Sequence, residues 1–166
     1  MLPSSPKLFT LSSITGERAR LRQERATLVM TNGCFDLLHT GHIYFLQQAR
    51  RLGDRLLVAL NSDTSVKALK GPKRPVQTEL ERAFGLAALE CVDYIVIFTH
   101  PTLVEEIVAI RPDIYTKAGD YNMSKLHAGE KAALEEVGAK IQFLPFLEGF
   151  STTGLIRTIV QAGGIG

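Results

Sequence analysis

Residues 28–43 read Leu-Val-Met-Thr-Asn-Gly-Cys-Phe-Asp-Leu-Leu-His-Thr-Gly-His-Ile, an apolar run followed by a glycine turn and two closely spaced histidines. The run at 28–30 is typical of a buried strand, and residues 41–52 carry apolar side chains at helical spacing. A strand that turns directly into a helix is the building unit of an open α/β sheet, whose ligands bind at the carboxyl ends of the strands. Because a helix start presents unpaired N–H groups to an anion, the segment predicts a nucleotide-phosphate site.

The two histidines of this segment have a spacing that suits a shared ligand. His39 and His42 are three positions apart, so on a helix they project from the same side. Each imidazole can donate a hydrogen bond, and the pair can therefore hold one phosphate group from two directions. Gly41 between them lets the backbone come close to the ligand. His100 and His127 lack such a context and are interpreted as ordinary surface or core residues.

The rest of the chain alternates strands with helices. The predicted strands are 28–30, 55–60, 94–98, 113–116 and 140–144, and the predicted helices are 10–25, 41–52, 76–91, 101–110, 128–137 and 154–161, with a short helical piece after the second strand. This alternation predicts a Rossmann-like α/β fold, a doubly wound five-stranded parallel sheet with helices on both faces. We expect a leader and helix at 1–26, followed by a single domain at 27–162.

Composition indicates a soluble protein of ordinary type. The chain has 166 residues, a hydrophobic fraction of 45% and a net charge of +2, which is too small to argue for nucleic acid. No apolar run approaches the ~20 residues that cross a bilayer, and the amino terminus lacks the apolar core of a secretory signal. We therefore expect no membrane association and a cytoplasmic location. Cys34 and Cys91 form no CxxC pair, so they are interpreted as free thiols.

Basic residues cluster after the second predicted strand. They are Lys67, Lys70, Lys73 and Arg74, in a stretch that also contains glycine and proline and is therefore predicted as a loop. A basic cluster on a loop is usually solvated surface. This loop, however, follows a strand whose carboxyl end lies at the same sheet edge as His39, and there its cations can hold phosphate groups.

Residues 34–42 resemble the HxGH signature of the nucleotidyltransferase superfamily, in which a phosphate attacks a nucleoside triphosphate and pyrophosphate leaves. The resemblance continues in family order over roughly residues 27 to 160. The matching blocks are Leu60-Asn61-Ser62-Asp63, Lys67, Lys70-Gly71, Arg74-Pro75, Glu81-Arg82, Lys117-Ala118-Gly119-Asp120-Tyr121 and Gly149-Phe150-Ser151-Thr152-Thr153. Together they are most similar to the adenylyltransferases that make ADP-heptose from a heptose 1-phosphate, a step in building the lipopolysaccharide core.

This resemblance implies roles for individual residues. The implied catalytic residues are His39, His42 and Lys67. The implied nucleotide-binding residues are Thr31, Asn32, Gly33, Cys34, Phe35, Lys70, Lys117, Gly119, Asp120, Ser151, Thr152 and Thr153. Arg74 and Arg82 are expected to bind the second substrate. ATP is the expected nucleotide, accompanied by Mg²⁺, and no metal site built from protein side chains is predicted.

Some of these positions also have a structural interpretation. Asp36 precedes a helix and is interpreted first as a cap or as a brace for its loop. Ser151 is a preferred N-cap residue, so it can cap the last helix while Thr152 and Thr153 contact phosphates at the same helix start. Asp120 either satisfies backbone groups of its turn or holds the nucleotide ribose, and the family match favours the ribose.

The expected reaction is a direct in-line displacement. The chain has neither a GxxxxGK[ST] loop nor a GxSxG elbow, which argues against a kinase and a hydrolase. Cys34 lies near two histidines, but the family fills this position with various small residues, so a covalent intermediate is not expected. Because a sugar phosphate is already a nucleophile, the protein's task is to align it and to stabilise developing charge.

The substrates are predicted from departures within the family. Phe146 stands where glycerol-phosphate cytidylyltransferases carry arginine, and an apolar ring suits a purine, which favours ATP over CTP. Ala118 replaces a family glycine and adds a methyl group where the ligand approaches. The alternatives are a cytidylyltransferase acting on a polyol or amino-alcohol phosphate, and a non-catalytic nucleotide-binding module. We expect small-molecule substrates, a separate sugar kinase upstream, and room for a homodimer.

Overall fold

The computed structural model describes residues 5–119, 122–145 and 147–163, and its centre is one parallel sheet. In chain order the elements are β1 (Leu8–Phe9), α1 (Leu11–Gln23), β2 (Leu28–Gly33), α2 (Thr40–Arg50), β3 (Arg55–Asn61), α3 (Asp63–Lys70), α4 (Glu79–Ala87), β4 (Tyr94–Phe98), α5 (Val104–Ile110), β5 (Ile114–Ala118), α6 (Ala128–Val137), β6 (Lys140–Leu144) and α7 (Thr152–Gln161). The sheet has six strands in the order β1-β4-β3-β2-β5-β6. The predicted α/β class is confirmed.

The predicted number of strands, five, is wrong by one. The additional strand is β1, which pairs in parallel with β4 through Leu8 opposite Ile95 and Phe9 opposite Val96. Two residues are too few to show the alternation from which a strand is recognised in a sequence. The five predicted strands correspond to β2 through β6, so the error concerns only an edge of the sheet.

Helices cover both faces, as predicted, because successive residues of the central strands point in opposite directions. Leu28 and Met30 of β2 belong to one apolar cluster, which also contains residues of α1, α5 and α6. Val29 between them belongs to a second cluster, which contains residues of α2 and α4. The two clusters are the two halves of a doubly wound core, and β2 runs between them.

The helices are short, and α1 is the longest of those described, with 13 residues. It begins at a capping box formed by Thr10 and Ser13, and it buries Ile14 and Leu21 against the sheet. The division into 1–26 and 27–162 stays a prediction. Within the described residues, no helix combines the length and apolar character that a membrane span requires.

Candidate active site

A cleft opens where two neighbouring strands of the sheet separate. β2 and β5 pair only through Val29 opposite Ile114 and Met30 opposite Tyr115, although each strand continues for three more residues. β3 is the other neighbour of β2, and β6 is the other neighbour of β5. From this point the strand order therefore runs towards one edge of the sheet through β3 and towards the opposite edge through β6. Ligands of open α/β sheets bind at such a switch point, outside the carboxyl ends of the strands.

The two histidines lie at this cleft with their rings in contact. His39 is the N-cap of α2, and its Nδ1 accepts a hydrogen bond from the His42 N–H at 3.4 Å. The ring centroids are 3.7 Å apart and the planes differ by 21°, so the imidazoles are stacked. The predicted geometry of two rings on one side of the helix start is therefore present. Phe35 packs against the other side of His42, with ring centroids 5.2 Å apart.

Burial keeps both imidazoles neutral. Desolvation, together with the nearby His39 and Lys70, lowers the pKa of His42 to about 3, although Asp36 opposes the shift. Desolvation also lowers the pKa of His39. The buried Nδ1 of His42 has no hydrogen-bond partner among the described residues. At neutral pH the pair is uncharged, so each ring can donate a hydrogen bond to a ligand but cannot form an ion pair with it.

The neutral state of His42 gives a testable pH dependence. The ordinary pKa of 6.5 applies to the unfolded chain, whereas the folded value is about 3. Between these values the unfolded chain binds the extra proton, so the free energy of unfolding falls as the pH drops below 6.5. Imidazole nitrogen shifts followed by NMR are expected to show a neutral His42 ring at pH 5, with its signal assigned through a His42→Gln variant. A ring that titrates near its ordinary pKa contradicts this account.

Gly41 permits the close approach of the His39 ring. A Cβ built on Gly41 would lie 3.1 Å from Nδ1 of His39 and 3.1 Å from Cβ of Phe150, which is tighter than nearly all real contacts. From the sequence, Gly41 is expected to allow the approach of a ligand. In the structure, its small size first accommodates the ring that would contact the ligand.

We expect Gly41→Ala to separate activity from stability. The methyl group displaces the His39 ring, so kcat should fall at least tenfold, whereas stability should change little, because crowding against Phe150 offsets the up to ~1 kcal/mol by which a helix favours alanine over glycine. Gly16→Ala in α1 is the matched control, since a Cβ there meets no atom within 4 Å. Thermal unfolding and steady-state turnover measure the two effects. Equal activity in both variants would show that the ring position is unimportant.

Two adjoining cavities meet at the histidines. The first, which we call the helix-end cavity, has a volume of about 470 Å³ and is lined by the starts of α2 and α7 and by the basic residues Lys70 and Arg74. The second, which we call the strand-end cavity, has a volume of about 570 Å³ and is lined by the ends of β2 and β5 and by residues near α6. The residues common to both are His42, Phe45, Lys70, Ala118 and Thr152.

Most of the predicted site residues line these cavities. Those in the helix-end cavity are His39, His42, Lys70, Arg74, Ser151, Thr152 and Thr153. Those in the strand-end cavity include Thr31, Asn32, Gly33, Cys34, Phe35 and Lys117. Burial lowers the pKa of Lys117, and the nearby carboxylate of Glu130 opposes that shift. The methyl group of Ala118, which stands at a family glycine, lies at the boundary of the two cavities.

Three predicted residues are not brought to either cavity. Lys67 is exposed on α3 and lines neither, whereas Lys70, one helical turn further along, lines both. Gly119 has a φ of 83° and donates its N–H to the Leu144 carbonyl, so it shapes the turn after β5. Arg82 is the third. Asp120 and Phe146, with their predicted ribose and base roles, lie outside the described residues.

Arg82, which is predicted to bind the second substrate, is instead placed inside the protein and lines neither cavity. Its side chain has no exposed surface. All three of its nitrogens donate internally, Nε to the Gln77 carbonyl at 3.1 Å, Nη1 to the Cys34 carbonyl at 2.6 Å and Nη2 to Asp63 at 2.8 Å. Because each nitrogen is engaged inside the protein and the side chain is fully buried, the guanidinium is not presented to either cavity. It instead fixes the turn after β2 to the start of α3.

The three hydroxyl groups at the start of α7 differ in what they contact. Ser151 caps the helix, as expected, because its Oγ accepts the Gly154 N–H at 3.0 Å. Thr152 is buried and donates its hydroxyl to the Asp36 carbonyl at 3.0 Å, so this hydroxyl holds a loop and does not face a phosphate as predicted. Thr153 is exposed and lines the helix-end cavity.

Asp36 stabilises the loop that follows β2, which is one of the two structural roles expected for it from the sequence. Its buried carboxylate accepts hydrogen bonds from the Val76 and Gln77 N–H groups and from Arg74. Desolvation works against ionisation, but these donors outweigh it and keep the pKa of Asp36 below its ordinary value.

Several residues of the strand-end cavity were not predicted. They are Asn61, Phe98, Pro101, Thr102, Lys125, Leu126, His127 and Glu130, besides residues next to the motif. Asn61 and Phe98 end strands β3 and β4, so their place at the carboxyl edge of the sheet is a signal that the sequence contains. His127 was interpreted as an ordinary residue, yet it caps α6 and lines this cavity.

Comparisons with known proteins agree with this geometry. A family model described as cytidylyltransferase-like matches residues 30–158. The bifunctional protein HldE of Trichlorobacter lovleyi is 47% identical over 148 residues, which are 89% of this chain and 29% of that protein. The bifunctional protein HldE of Koribacter versatilis is 49% identical over 151 residues, 91% of this chain and 31% of its own length. The chain thus spans about a third of the length of these relatives.

Two solved structures are similar in fold. The lipopolysaccharide core biosynthesis protein of Thermoplasma volcanium superposes with a TM-score of 0.59 at 27% identity, over 74% of this chain and 97% of that one. The pantoate-beta-alanine ligase of Francisella tularensis, solved in complex with beta-gamma ATP and beta-alanine, has a TM-score of 0.62 over 91% of this chain and 76% of its own. At 13% identity the second comparison concerns the fold alone.

Proposed function

The chain belongs to the cytidylyltransferase-like family, and from this membership and the site we propose that it transfers AMP from ATP to a sugar 1-phosphate, releasing pyrophosphate. The observation that carries the proposal is the pair of stacked, neutral imidazoles at the boundary of two cavities. An in-line displacement needs the nucleophile and the leaving group on opposite sides of the α-phosphorus. Two cavities that meet at His42 and Lys70 supply that arrangement.

Each cavity suits one side of the reaction. In the helix-end cavity, the helix starts, Lys70 and Arg74 favour the negative charge of the leaving pyrophosphate. Arg74 is thus proposed to bind the nucleotide and not the second substrate, which the resemblance implies for it. In the strand-end cavity, the polar side chains of Thr102 and Glu130 can hydrogen-bond the hydroxyl groups of a sugar, while Asn32 keeps the nucleotide role that the resemblance implies. Lys117 in the same cavity, to which the resemblance also gives a nucleotide-binding role, can in addition contact the acceptor's phosphate.

The protein supplies alignment and charge stabilisation to this reaction. The phosphate of the acceptor is the nucleophile and needs no base. As negative charge builds on the oxygens of the α-phosphorus, His39 and His42 donate hydrogen bonds to them, and Lys70 adds a positive charge. The P–O bond to the pyrophosphate breaks as the bond to the acceptor forms, so no group becomes attached to the protein.

Mg²⁺ belongs to the proposed nucleotide substrate, whose phosphate oxygens coordinate it and whose negative charge it partly neutralises. Among residues 5–119, 122–145 and 147–163, no group of three or more His, Cys, Asp and Glu side chains is arranged to hold a metal ion.

The choice of ATP and of a heptose acceptor rests on sequence similarity. Both the motif blocks and the identity of 47% or more to the HldE proteins support it. The similar Thermoplasma volcanium structure is that of a lipopolysaccharide core biosynthesis protein, which agrees with an acceptor of this kind. A sugar kinase would supply the sugar 1-phosphate. A homodimer also stays a prediction, which sedimentation equilibrium would measure.

Pyrophosphate release with a panel of substrates tests the proposal. The purified protein is incubated with MgATP or MgCTP and with heptose 1-phosphate, glycerol 3-phosphate or phosphocholine, and a variant carrying both His39→Asn and His42→Asn is the blank. We expect release with ATP and heptose 1-phosphate, and ADP-heptose by mass spectrometry. Pyrophosphate release with CTP alone would show that the protein is a cytidylyltransferase. No release with any substrate pair would favour a non-catalytic nucleotide-binding module.

A further inference from the structure

Asp36 connects three separate parts of the chain at the helix-end cavity. Its carboxylate accepts hydrogen bonds from the N–H groups of Val76 and Gln77 and from Nε of Arg74, the last at 2.6 Å. Its carbonyl accepts the Thr152 hydroxyl at 3.0 Å. The loop after β2, the segment before α4 and the start of α7 therefore meet at one residue. Asp36 lines the strand-end cavity, but only 1% of its surface is exposed and its carboxylate is occupied by these donors.

The backbone on either side of Asp36 is held in an unusual conformation. Phe35 has a φ of 45° and Leu37 a φ of 56°, both in the left-handed region that residues other than glycine rarely adopt. Such a conformation persists only where surrounding contacts over-determine it. The hydrogen bonds to Asp36 are contacts of that kind, and its low pKa keeps the carboxylate charged at neutral pH. The loop is consequently fixed before any ligand binds.

Arg74 is left with hydrogen-bonding capacity after its contact with Asp36. The pair uses Nε, whereas Nη2 is buried without a hydrogen-bond partner among the described residues. An unpaired buried guanidinium nitrogen is costly, and an anionic oxygen is the partner that it binds most strongly. Arg74 lines the helix-end cavity together with His39 and Lys70, and Asp36 holds its guanidinium there.

We propose that Asp36 is a positioning residue for the pyrophosphate end of the nucleotide, which it serves by fixing Arg74 on one wall of the helix-end cavity and Thr152 on the other. The phosphates bind to Arg74, Lys70 and the start of α7. Asp36 acts only through these groups. The assignment of the ligand as the pyrophosphate portion rests on the function proposed above, but the anion site itself does not.

A double-mutant cycle tests whether Asp36 acts through Arg74. The variants are Asp36→Asn, Arg74→Gln and the two combined, and the probe is inorganic pyrophosphate, whose binding to the intact protein is measured by calorimetry and whose inhibition of turnover is measured kinetically. We expect each single variant to weaken pyrophosphate binding about 10- to 100-fold. The combined variant should be nearly as weak as the single variants, because Asp36→Asn retains the carbonyl that holds Thr152 and the carboxylate has no guanidinium to hold once Arg74 is gone. The KM for ATP should rise in parallel, while the KM for the acceptor changes less than twofold.

Leu86→Ala is the control for lost stability. Leu86 is a buried residue of α4 that lines neither cavity, so this variant should lower the melting temperature without weakening pyrophosphate binding. If Asp36→Asn binds pyrophosphate normally, or if the effects of the two substitutions multiply, the positioning role is overturned. A wild-type protein that binds pyrophosphate through these residues but turns over no substrate would contradict only the proposed function. Turnover with unchanged pyrophosphate binding in the variants would contradict only the role of Asp36.

Discussion

Replacing His42 by asparagine is expected to lower kcat about a hundredfold, which corresponds to ~3 kcal/mol of transition-state stabilisation. The imidazole is buried at the boundary of the two cavities and is neutral, so its contribution is a hydrogen bond to an oxygen on which charge develops. Asparagine retains polarity but does not place its donor where the ring does. His39→Asn should have a similar effect on kcat, and it retains the ability to cap α2. Pyrophosphate release under saturating substrates measures both.

The control for these substitutions is His100→Ala. His100 is about half exposed, contacts Glu105 and Glu106, and lines neither cavity. Its removal should leave kcat unchanged, and thermal unfolding should show that all three variants are folded. Wild-type turnover in His42→Asn and His39→Asn would remove the imidazole pair from the mechanism.

Arg82→Ala should destabilise the protein by about 3 kcal/mol. Removing one partner of a buried ionic network leaves the other groups without compensation. In this case those groups are Asp63, which keeps some exposure, and the carbonyls of Cys34 and Gln77. For a chain of this size the melting temperature should fall by roughly 6–12 °C. Denaturant unfolding followed by circular dichroism gives the free energy directly.

Arg22→Ala provides the comparison for Arg82→Ala. Arg22 is exposed near the end of α1, and loss of such a side chain usually changes stability by less than ~0.5 kcal/mol. If Arg82→Ala unfolds like Arg22→Ala and instead raises the KM for the acceptor, Arg82 binds the substrate and its role is not structural.

The periodicity of the sequence predicted the central sheet well. The bounds of β4, β6 and α6 agree with the predicted ones, because each element has a regular apolar pattern and ends at a residue that breaks it. The edge strand β1 was missed, since two residues carry no period. The HxGH segment was also predicted correctly, because strand, turn and helix follow one another along the chain there and need no distant contact.

Contacts between distant residues could not be predicted in this way. Arg74 and Arg82 are both basic residues in the same stretch of chain, yet one lines a cavity and the other is saturated inside the protein. The difference depends on Asp36, Cys34 and Asp63, which only the tertiary structure brings to them. Lys67 and Lys70 likewise differ by one helical turn, and the sequence does not show which of them faces the cleft.

The most direct test of the account is a crystal structure of the protein with Mg²⁺ and α,β-methylene-ATP, an analogue that cannot be split at the reacting position. We predict that the α-phosphoryl group lies within hydrogen-bond distance of the His39 and His42 rings, with the terminal phosphates between Arg74 and the start of α7. A nucleotide bound with its phosphates away from both imidazoles, outside the helix-end and strand-end cavities, would contradict the account.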